Sequence, residues 1–214
     1  MAVNLFGWTV NGVVIAGMAY LAFAMALAGW MAGLRRGEAV TLLPARGDGA
    51  STLAAQLGLV LVSLIVCAAL IYWLWIPLPL AVPPAATPIL AVVGLAIFVA
   101  GTLFIVWARH TLGRMWGIST SRQVKLLPDH QLIAGGPYAL VRHPMYFGWW
   151  TALLGALLIY RTWILVLLLA MSLVVSLVVF YRRARLEEST LAARFGAEWQ
   201  AYVKRTKFLI PFVH

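Results

Sequence analysis

The residues best suited to chemistry lie in the stretch GPYALVRHPMYFGWW, residues 136–150, where an arginine, a histidine and two prolines precede an apolar run. Pro144 suits the first helical position, where its missing N–H costs nothing, and it favours an extended His143 at the preceding cap position. The helix N-terminus carries partial positive charge, and the glycine-proline turn before it gathers backbone N–H groups. The stretch is therefore suited to a ligand carboxylate. The residues alone are equally compatible with a simpler interpretation, in which Arg142 reaches lipid phosphates and His143 only caps the helix.

A second chemical group is the carboxylate pair Glu187 and Glu188, which follows the last apolar run in a protein with only six acidic residues. Helical spacing puts Arg183 one turn before Glu187 on the same face. Such a pair is often only a surface salt bridge. A hairpin of the last two apolar helices, however, would bring the glutamates to the membrane face where the helix after His143 begins. Hydrogen-bond donors would then oppose carboxylates, an arrangement that fits a zwitterionic cofactor.

The elements that must position these groups are membrane helices. The chain has 214 residues, 64% of them hydrophobic and 10% charged, with a mean hydropathy of +0.94, which is typical of an integral membrane protein. The first apolar segment has neither a basic residue before it nor a cleavage site after it, so we expect a retained helix rather than a signal peptide. Only Arg161 and Thr162 separate the last two segments, which predicts a tight antiparallel hairpin. The segments long enough to cross a bilayer are Thr9–Leu34, Leu53–Ile76, Pro88–Ala108, Pro144–Tyr160 and Trp163–Tyr181.

Basic residues are distributed unevenly among the connecting segments. Fifteen of the 16 lysines and arginines lie between segments one and two, between three and four, or after five, and only Arg161 lies elsewhere. The positive-inside rule therefore predicts an external N-terminus and a cytoplasmic C-terminus and active site. The net charge of +10 is then mostly a topology signal, which weakens a nucleic-acid interpretation. A single cysteine, Cys67, excludes a disulfide framework.

The tail after segment five predicts one amphipathic helix on the membrane or on the inner mouth of the protein, because Leu191, Phe195, Trp199 and Tyr202 recur at helical spacing. We therefore expect an all-α integral membrane protein with five transmembrane helices. It would form a single membrane domain over residues 1–214, with helices one to three in 1–108 and a catalytic region in 109–214. The cytoplasmic cofactor pocket would be formed by the loop before helix four, the hairpin of helices four and five, and the amphipathic C-terminal helix.

The motifs GPYALVRHPMYFGW, RLEESTLAARFGAEWQAYVKR and FLIPF resemble the isoprenylcysteine carboxyl methyltransferase family of integral-membrane, S-adenosylmethionine-dependent enzymes, over roughly residues 100 to 213. The resemblance implies that Arg183 contacts the substrate and that Arg183 and Glu187 carry the catalytic roles. Tyr138, Tyr146 and Trp199 are suited to wall the adenine, and no metal is required. The residues at positions that hold S-adenosylmethionine in the family are Gln123, His130, Gln131, Leu132, Ile133, Tyr138, His143, Pro144, Met145, Tyr146, Glu187 and Glu188.

The methyl acceptor stays open, because phospholipid N-methyltransferases and some thiol methyltransferases share the RHPxYxG and EE elements. A lipophilic carboxylate of the prenylcysteine type is favoured. A carboxylate is already ionised at neutral pH and needs no general base, and Arg183 can dock a carboxylate but would repel an ammonium. A structural membrane protein would have no cofactor pocket. A transporter is disfavoured because no ionisable group lies within the five segments, and a soluble-type methyltransferase is excluded because no βαβ pattern is present.

Overall fold

The computed structural model describes residues 6–21, 75–115, 131–175 and 181–209, together with 61–62, 65–66, 69 and 72–73. This part of the chain is built from helices and irregular segments, and the side chains of Arg114 and Arg183 lie outside the description. Two single-turn 3₁₀ helices span Gly113–Met115 and Gly136–Ala139. The α-helices are α1 Phe6–Leu21, α2 Ala86–Leu112, α3 Pro144–Tyr160, α4 Trp163–Val175, α5 Tyr181–Phe195 and α6 Ala197–Arg205.

The predicted apolar segments correspond to these helices to different extents. The fourth segment matches α3 from Pro144 to Tyr160, and the fifth begins at Trp163 with α4. The third is longer than predicted, because Arg109 and His110 in the last turn complement the helix dipole and the helix continues to Gly113, whose φ is 50°. Residues 22–60 and 176–180 lie outside the description, so the full length of the first, second and fifth segments stays a prediction.

Length and composition alone identify α2 as a candidate membrane span. It has 27 residues and a mean hydropathy of 2.8 over its best window, whereas α1, α3 and α4 are shorter apolar helices. Among the described residues, α2 is the one helix that meets both criteria. The structure thus supports the prediction that the apolar segments are helical, but it does not confirm that five of them cross the membrane.

The hairpin predicted from the short link between segments four and five is present. Arg161 adopts a left-handed conformation with φ 49° and its N–H bonds to the carbonyl of Leu157 at 2.8 Å, which ends α3. Trp150 Nε1 then donates to Ser172 Oγ at 3.1 Å across the helix pair. At the other end, Pro144 occupies the first helical turn with His143 before it at φ −124°. The predicted start of this helix is therefore confirmed.

Close approach of α2 and α3 supports the fold and places the site. Gly94 and Gly101 of α2 face Gly155 and Gly148 of α3, and a Cβ added at Gly101 would lie 2.5 Å from the backbone nitrogen of Ala152. Small residues let two helix backbones approach where lipid gives no hydrophobic drive for association. Phe98, 1% exposed, fills the space beside this seam. The seam therefore fixes the start of α3 relative to the end of α2.

The tail differs from the single amphipathic helix that the sequence predicts. Gly196, at φ 50°, separates α5 from α6, because a positive φ interrupts the helical ladder and glycine adopts it without a Cβ clash. Trp199 and Tyr202 are buried, at 5% and 3% exposure. The apolar face of α6 is therefore used for packing within the protein. This supports the predicted location against the protein rather than on the membrane.

Candidate functional site

Arg142, of the RHP motif, lies at a junction of three parts of the chain. Its Nε donates to Glu188 Oε1 of α5 at 2.6 Å, and its Nη1 donates to the carbonyl of Thr206 at 2.8 Å. The Arg142 and Glu188 side chains are 12% and 10% exposed. The hairpin has thus brought the start of α3 and the glutamate pair together, as expected. The guanidinium is engaged within the protein, which argues against the interpretation that Arg142 reaches lipid phosphates.

The backbone around the motif pairs with the C-terminal segment. Val141 and Lys207 form an isolated parallel bridge, with Arg142 N–H donating to Lys207 O at 2.8 Å and His143 N–H to Phe208 O at 3.2 Å. Within the 3₁₀ turn, Tyr138 N–H bonds to the carbonyl of Gly135. The amides of Tyr138, Arg142 and His143 are therefore satisfied by the protein, and the predicted donor role of the glycine amides in the turn stays a prediction. The N-terminus of α3 stays a candidate for that role, because a helix N-terminus carries partial positive charge.

His143 faces the interior of the site rather than capping its helix. Its side chain makes no cap hydrogen bond, and its ring meets Phe208 edge-on at 4.9 Å and stacks on Tyr146 at 6.1 Å, between ring centroids. His143 Nε2 is 3.6 Å from Glu188 Oε1, an ion-pair distance that is too long for a hydrogen bond. Nε2 is buried without a hydrogen-bond partner among the described residues. A buried polar atom of this kind is available to a ligand.

Tyr138 presents a second buried polar atom of the same kind. Its hydroxyl has no hydrogen-bond partner in the described part of the chain. Burial, and next the charge of Glu187, raise the pKa of Tyr138 well above its ordinary value, so the phenol stays protonated and can donate. Tyr202 of α6 fixes this region from the tail, because its hydroxyl donates to the Tyr138 carbonyl at 2.8 Å. Burial raises the pKa of Tyr202 to about 12.

Glu188 differs from Glu187 in being committed to the protein. Burial would raise the pKa of Glu188, but His143 and Arg142 outweigh burial and hold the pKa below its usual value. Arg185 adds a more distant contact, 3.7 Å from Oε2. The oxygens of Glu188 are therefore already engaged by cations of the chain. A role of Glu188 as a cofactor ligand stays a prediction.

The lowered pKa of Glu188 predicts an acid-sensitive fold. A depressed folded-state pKa contributes stability that is present above the unfolded pKa and lost as pH falls through the folded value. We expect the melting temperature of the wild type to fall more steeply than that of Glu188→Gln between about pH 6 and about pH 3.5. Glu198→Gln, at an exposed residue of α6, is the matched control and should follow the wild type. Parallel curves for wild type and Glu188→Gln would contradict the prediction.

The sequence-predicted site residues fall into three groups. Gln123 and His130 lie outside the described residues, and for Arg183 only the backbone is described, in α5. Gln131 is exposed and Leu132 and Ile133 are half-buried in the irregular segment before the 3₁₀ turn. The structure brings the remaining residues together around the start of α3 and the first turns of α5: Tyr138, His143, Pro144, Met145, Tyr146, Glu187 and Glu188.

Three residues at this junction were not in the predicted set. The sequence alone indicates Arg142 only as a lipid contact or as part of a donor cluster, and no motif assigns a role to Thr206 or Phe208. The closing FLIPF motif does indicate that Phe208 is at least partly buried, because an apolar aromatic segment after a basic helix is expected to pack against the protein or the membrane. Nothing in the sequence indicated the carbonyl of Thr206 as an acceptor.

The arrangement as a whole combines hydrogen-bond donors with carboxylates. Donors at Tyr138 and His143, the positive end of the α3 dipole and the half-buried carboxylate of Glu187 lie within one region. Donors suit a ligand carboxylate, and a carboxylate suits a ligand ammonium or sulfonium. The site can therefore hold a zwitterion or a cation with an attached carboxylate, without a metal being needed for binding.

Comparison with known proteins shows which proteins this chain is similar to. Residues 92–193 match the model of the isoprenylcysteine carboxyl methyltransferase (ICMT) family. The chain is 32% identical over 134 residues to a protein-S-isoprenylcysteine O-methyltransferase of Saccharomyces cerevisiae, covering 60% of this chain and 52% of that protein. It is 33% identical over 85 residues to a protein of the same name from Schizosaccharomyces pombe, covering 40% and 35% of the two chains. This chain thus aligns with about half or less of the length of these relatives.

The fold also resembles a solved structure, that of a eukaryotic intramembrane Ras methyltransferase, ICMT. The similarity has a TM-score of 0.56 at 22% sequence identity and covers 95% of this chain and 67% of the other. At this identity the similarity concerns the fold alone. It supports the arrangement of helices described above.

Proposed function

We propose that the chain is a membrane methyltransferase that transfers a methyl group from S-adenosylmethionine to a lipophilic carboxylate, because residues 92–193 match the model of the isoprenylcysteine carboxyl methyltransferase family. The catalytic region is proposed to span residues 109–214, within a single membrane domain. The observation that carries the proposal is the pair of buried polar atoms, His143 Nε2 and the Tyr138 hydroxyl, with no hydrogen-bond partner among the described residues. They lie beside the glutamate pair that the family resemblance assigns to the cofactor.

The residues present fit this cofactor. S-adenosylmethionine carries a carboxylate, an ammonium and a sulfonium, and when bound it supplies an already activated methyl group. The donors of Tyr138 and His143 and the N–H groups at the start of α3 are suited to its carboxylate and other polar groups. The Glu187 carboxylate is suited to its positive charge. Predicted contacts with Gln123, His130 and the 131–133 segment would complete the set.

The work of the protein in this reaction is to bind, orient and exclude water. The cofactor needs no further activation, so rate enhancement comes mainly from holding two molecules in line. The packing of Phe208 and Tyr146 against His143 keeps the imidazole in one orientation. The raised pKa of Tyr138 keeps its hydroxyl neutral, so it can donate without adding negative charge beside the carboxylates.

A carboxylate acceptor is favoured over an amine or a thiol for two reasons. An ionised carboxylate needs no general base, and Arg183, one turn before Glu187 on α5, is suited to dock it. An apolar groove on α2 supports a lipophilic substituent. Trp107 of this groove lies beside the 3₁₀ turn before the site, because a Cβ added at Gly136 would lie 3.4 Å from Trp107 Nε1. The groove is lined by Ala100, Leu103, Phe104, Val106, Trp107 and His110.

The acceptor test supplies labelled S-adenosylmethionine with a prenylcysteine analogue, a phosphatidylethanolamine and a small thiol to the detergent-purified protein. We expect a base-labile methyl ester on the prenylcysteine analogue. Arg183→Ala should lower kcat/KM for that acceptor about tenfold to a hundredfold, because it loses a charged hydrogen-bond donor. Arg182→Ala, at an exposed residue of the same helix, is the control. Label in a base-stable lipid amine or thioether would overturn the carboxylate proposal in favour of the N- or S-methyl alternative.

The proposed orientation places the N-terminus outside and the site in the cytoplasm, on the basis of the distribution of lysines and arginines. At residue 82, in the loop before α2, a reporter that is active only outside the membrane should be active, and a reporter that is active only in the cytoplasm should be inactive. A second fusion after residue 209 should show the opposite response. Cytoplasmic reporter activity at residue 82 would contradict the orientation.

A further inference from the structure

The C-terminal segment 206–209 is held against the start of α3 by backbone hydrogen bonds of Lys207 and Phe208 and by the side chain of Arg142. Arg142 bonds to Thr206 O at 2.8 Å and to Glu188 Oε1 at 2.6 Å, and its guanidinium lies 5.5 Å from the centre of the Phe208 ring. These contacts join groups separated by 46 and 64 positions in the chain. Because Arg142 is 12% exposed, truncating it would leave a buried carboxylate and a carbonyl without their donor.

The segment held in this way is part of the wall around His143. Phe208 meets the His143 ring at 4.9 Å, and its carbonyl accepts the His143 N–H at 3.2 Å. Phe208 also meets Tyr181 at 5.8 Å, which connects the wall to the start of α5. The orientation of the His143 imidazole, and with it the direction of its buried Nε2, therefore depends on where Phe208 lies.

We propose that Arg142 is a positioning residue for the cofactor site: it does not touch the ligand but fixes Phe208 against His143 and so orients the imidazole. The inference rests on the proposed function, because it assumes that His143 contacts S-adenosylmethionine. Arg142→Gln should weaken S-adenosylmethionine binding about tenfold or more in calorimetry, since small misplacements of a binding group are costly. Arg142→Lys, which keeps the charge but not the planar fork, should bind with intermediate affinity.

The matched control is Arg185→Gln. Arg185 is the other arginine beside Glu188, 3.7 Å from Oε2, but its side chain is 62% exposed and lies in an i,i+3 arrangement on the same helix. We expect its S-adenosylmethionine affinity to equal that of the wild type. Equal loss in Arg185→Gln and Arg142→Gln would overturn the proposal, because it would indicate a general effect of positive charge near the site.

A double-mutant comparison separates positioning from a general structural role. If Arg142 acts through Phe208, then Phe208→Ala should weaken binding, and adding Arg142→Gln to Phe208→Ala should weaken it little further. If Arg142 had a purely structural role, Arg142→Gln would lower the melting temperature, and the losses of affinity in Arg142→Gln and Phe208→Ala would add in the double variant. Additive losses, or wild-type affinity in folded Arg142→Gln or Arg142→Lys, would overturn the proposal.

Limited proteolysis gives a readout that does not depend on the cofactor. Trypsin cleavage after Lys207 releases the peptide Phe208–His214, and release should be about tenfold faster in Arg142→Gln than in the wild type because local opening exposes the bond. An unchanged release rate would overturn the proposal. If the wild type itself fails to bind S-adenosylmethionine, the proposed function fails, whereas the proteolysis result still tests whether Arg142 holds the segment.

Discussion

Gly101→Ala should destabilise the protein by about 3 kcal/mol or more, although alanine is the better helix former. Forcing extra atoms into a close-packed contact costs about 1–3 kcal/mol when neighbouring side chains can move, and more when they cannot. At Gly101 the new Cβ would lie 2.5 Å from the backbone nitrogen of Ala152 and 2.7 Å from the carbonyl oxygen of Gly148. Backbone atoms of α3 cannot rotate away, so the two helices would have to separate.

The reciprocal change on the other helix should behave in the same way. A Cβ at Gly155 would meet the backbone nitrogen of Phe98 and the carbonyl oxygen of Gly94. Since both helices are apolar, little hydrophobic force within a membrane would hold them together once close backbone contact is lost. The site would be affected too, because α2 and the 3₁₀ turn before His143 are in contact at Trp107 and Gly136.

The matched control for Gly101→Ala is Gly12→Ala. Gly12 is also inside an apolar helix, α1, but a Cβ there meets nothing within 4 Å. The expected effect is neutral or stabilising by about 0.5–1 kcal/mol, from helix propensity alone. Thermal unfolding of the detergent-purified variants measures the change in stability for Gly101→Ala and for Gly12→Ala. Equal melting temperatures for Gly101→Ala and Gly12→Ala would show that the α2–α3 seam does not have the close contact described.

Local features of the fold were predictable from the sequence, and the features that depend on distant pairing were not. The start of α3 follows from Pro144, whose fixed φ and missing N–H suit the first turn. The hairpin follows from the two-residue link at Arg161 and Thr162. By contrast, the break at Gly196 was missed because apolar spacing alone continued across it, and a glycine inside a helical pattern can be tolerated or can end the helix.

The candidate site was predictable as a set of residue types but not as a set of contacts. The sequence placed a donor-rich helix start and a carboxylate pair on the same side of the membrane. It could not say which carboxylate would meet which cation. The structure pairs Glu188 with Arg142 rather than leaving both glutamates open to a ligand. It also adds Phe208 as a neighbour of His143, a contact between residues 65 positions apart in numbering that no local pattern encodes.

Glu187→Gln and His143→Ala should each weaken S-adenosylmethionine binding by about 2–5 kcal/mol, the usual cost of losing one partner of a desolvated charged contact. Glu187 is half-buried, and its charge reaches Tyr138 strongly enough to contribute to the raised pKa of that phenol. A ligand cation near Glu187 would be attracted by the same charge, and Glu187→Gln removes it while keeping the shape of the side chain. This variant therefore tests the electrostatic half of the site.

His143→Ala tests the donor half. Nε2 of His143 is buried and has no hydrogen-bond partner among the described residues, so it is available to bond to a ligand. The matched control for both variants is Glu198→Gln, on the exposed face of α6, which should bind like the wild type. Calorimetry gives the affinities, and melting temperatures within a few degrees of the wild type show that the variants are folded. Because the two residues act on different parts of the ligand, wild-type affinity in both variants would mean that the cofactor does not bind at this junction, whereas a loss in only one would identify which half of the site the ligand uses.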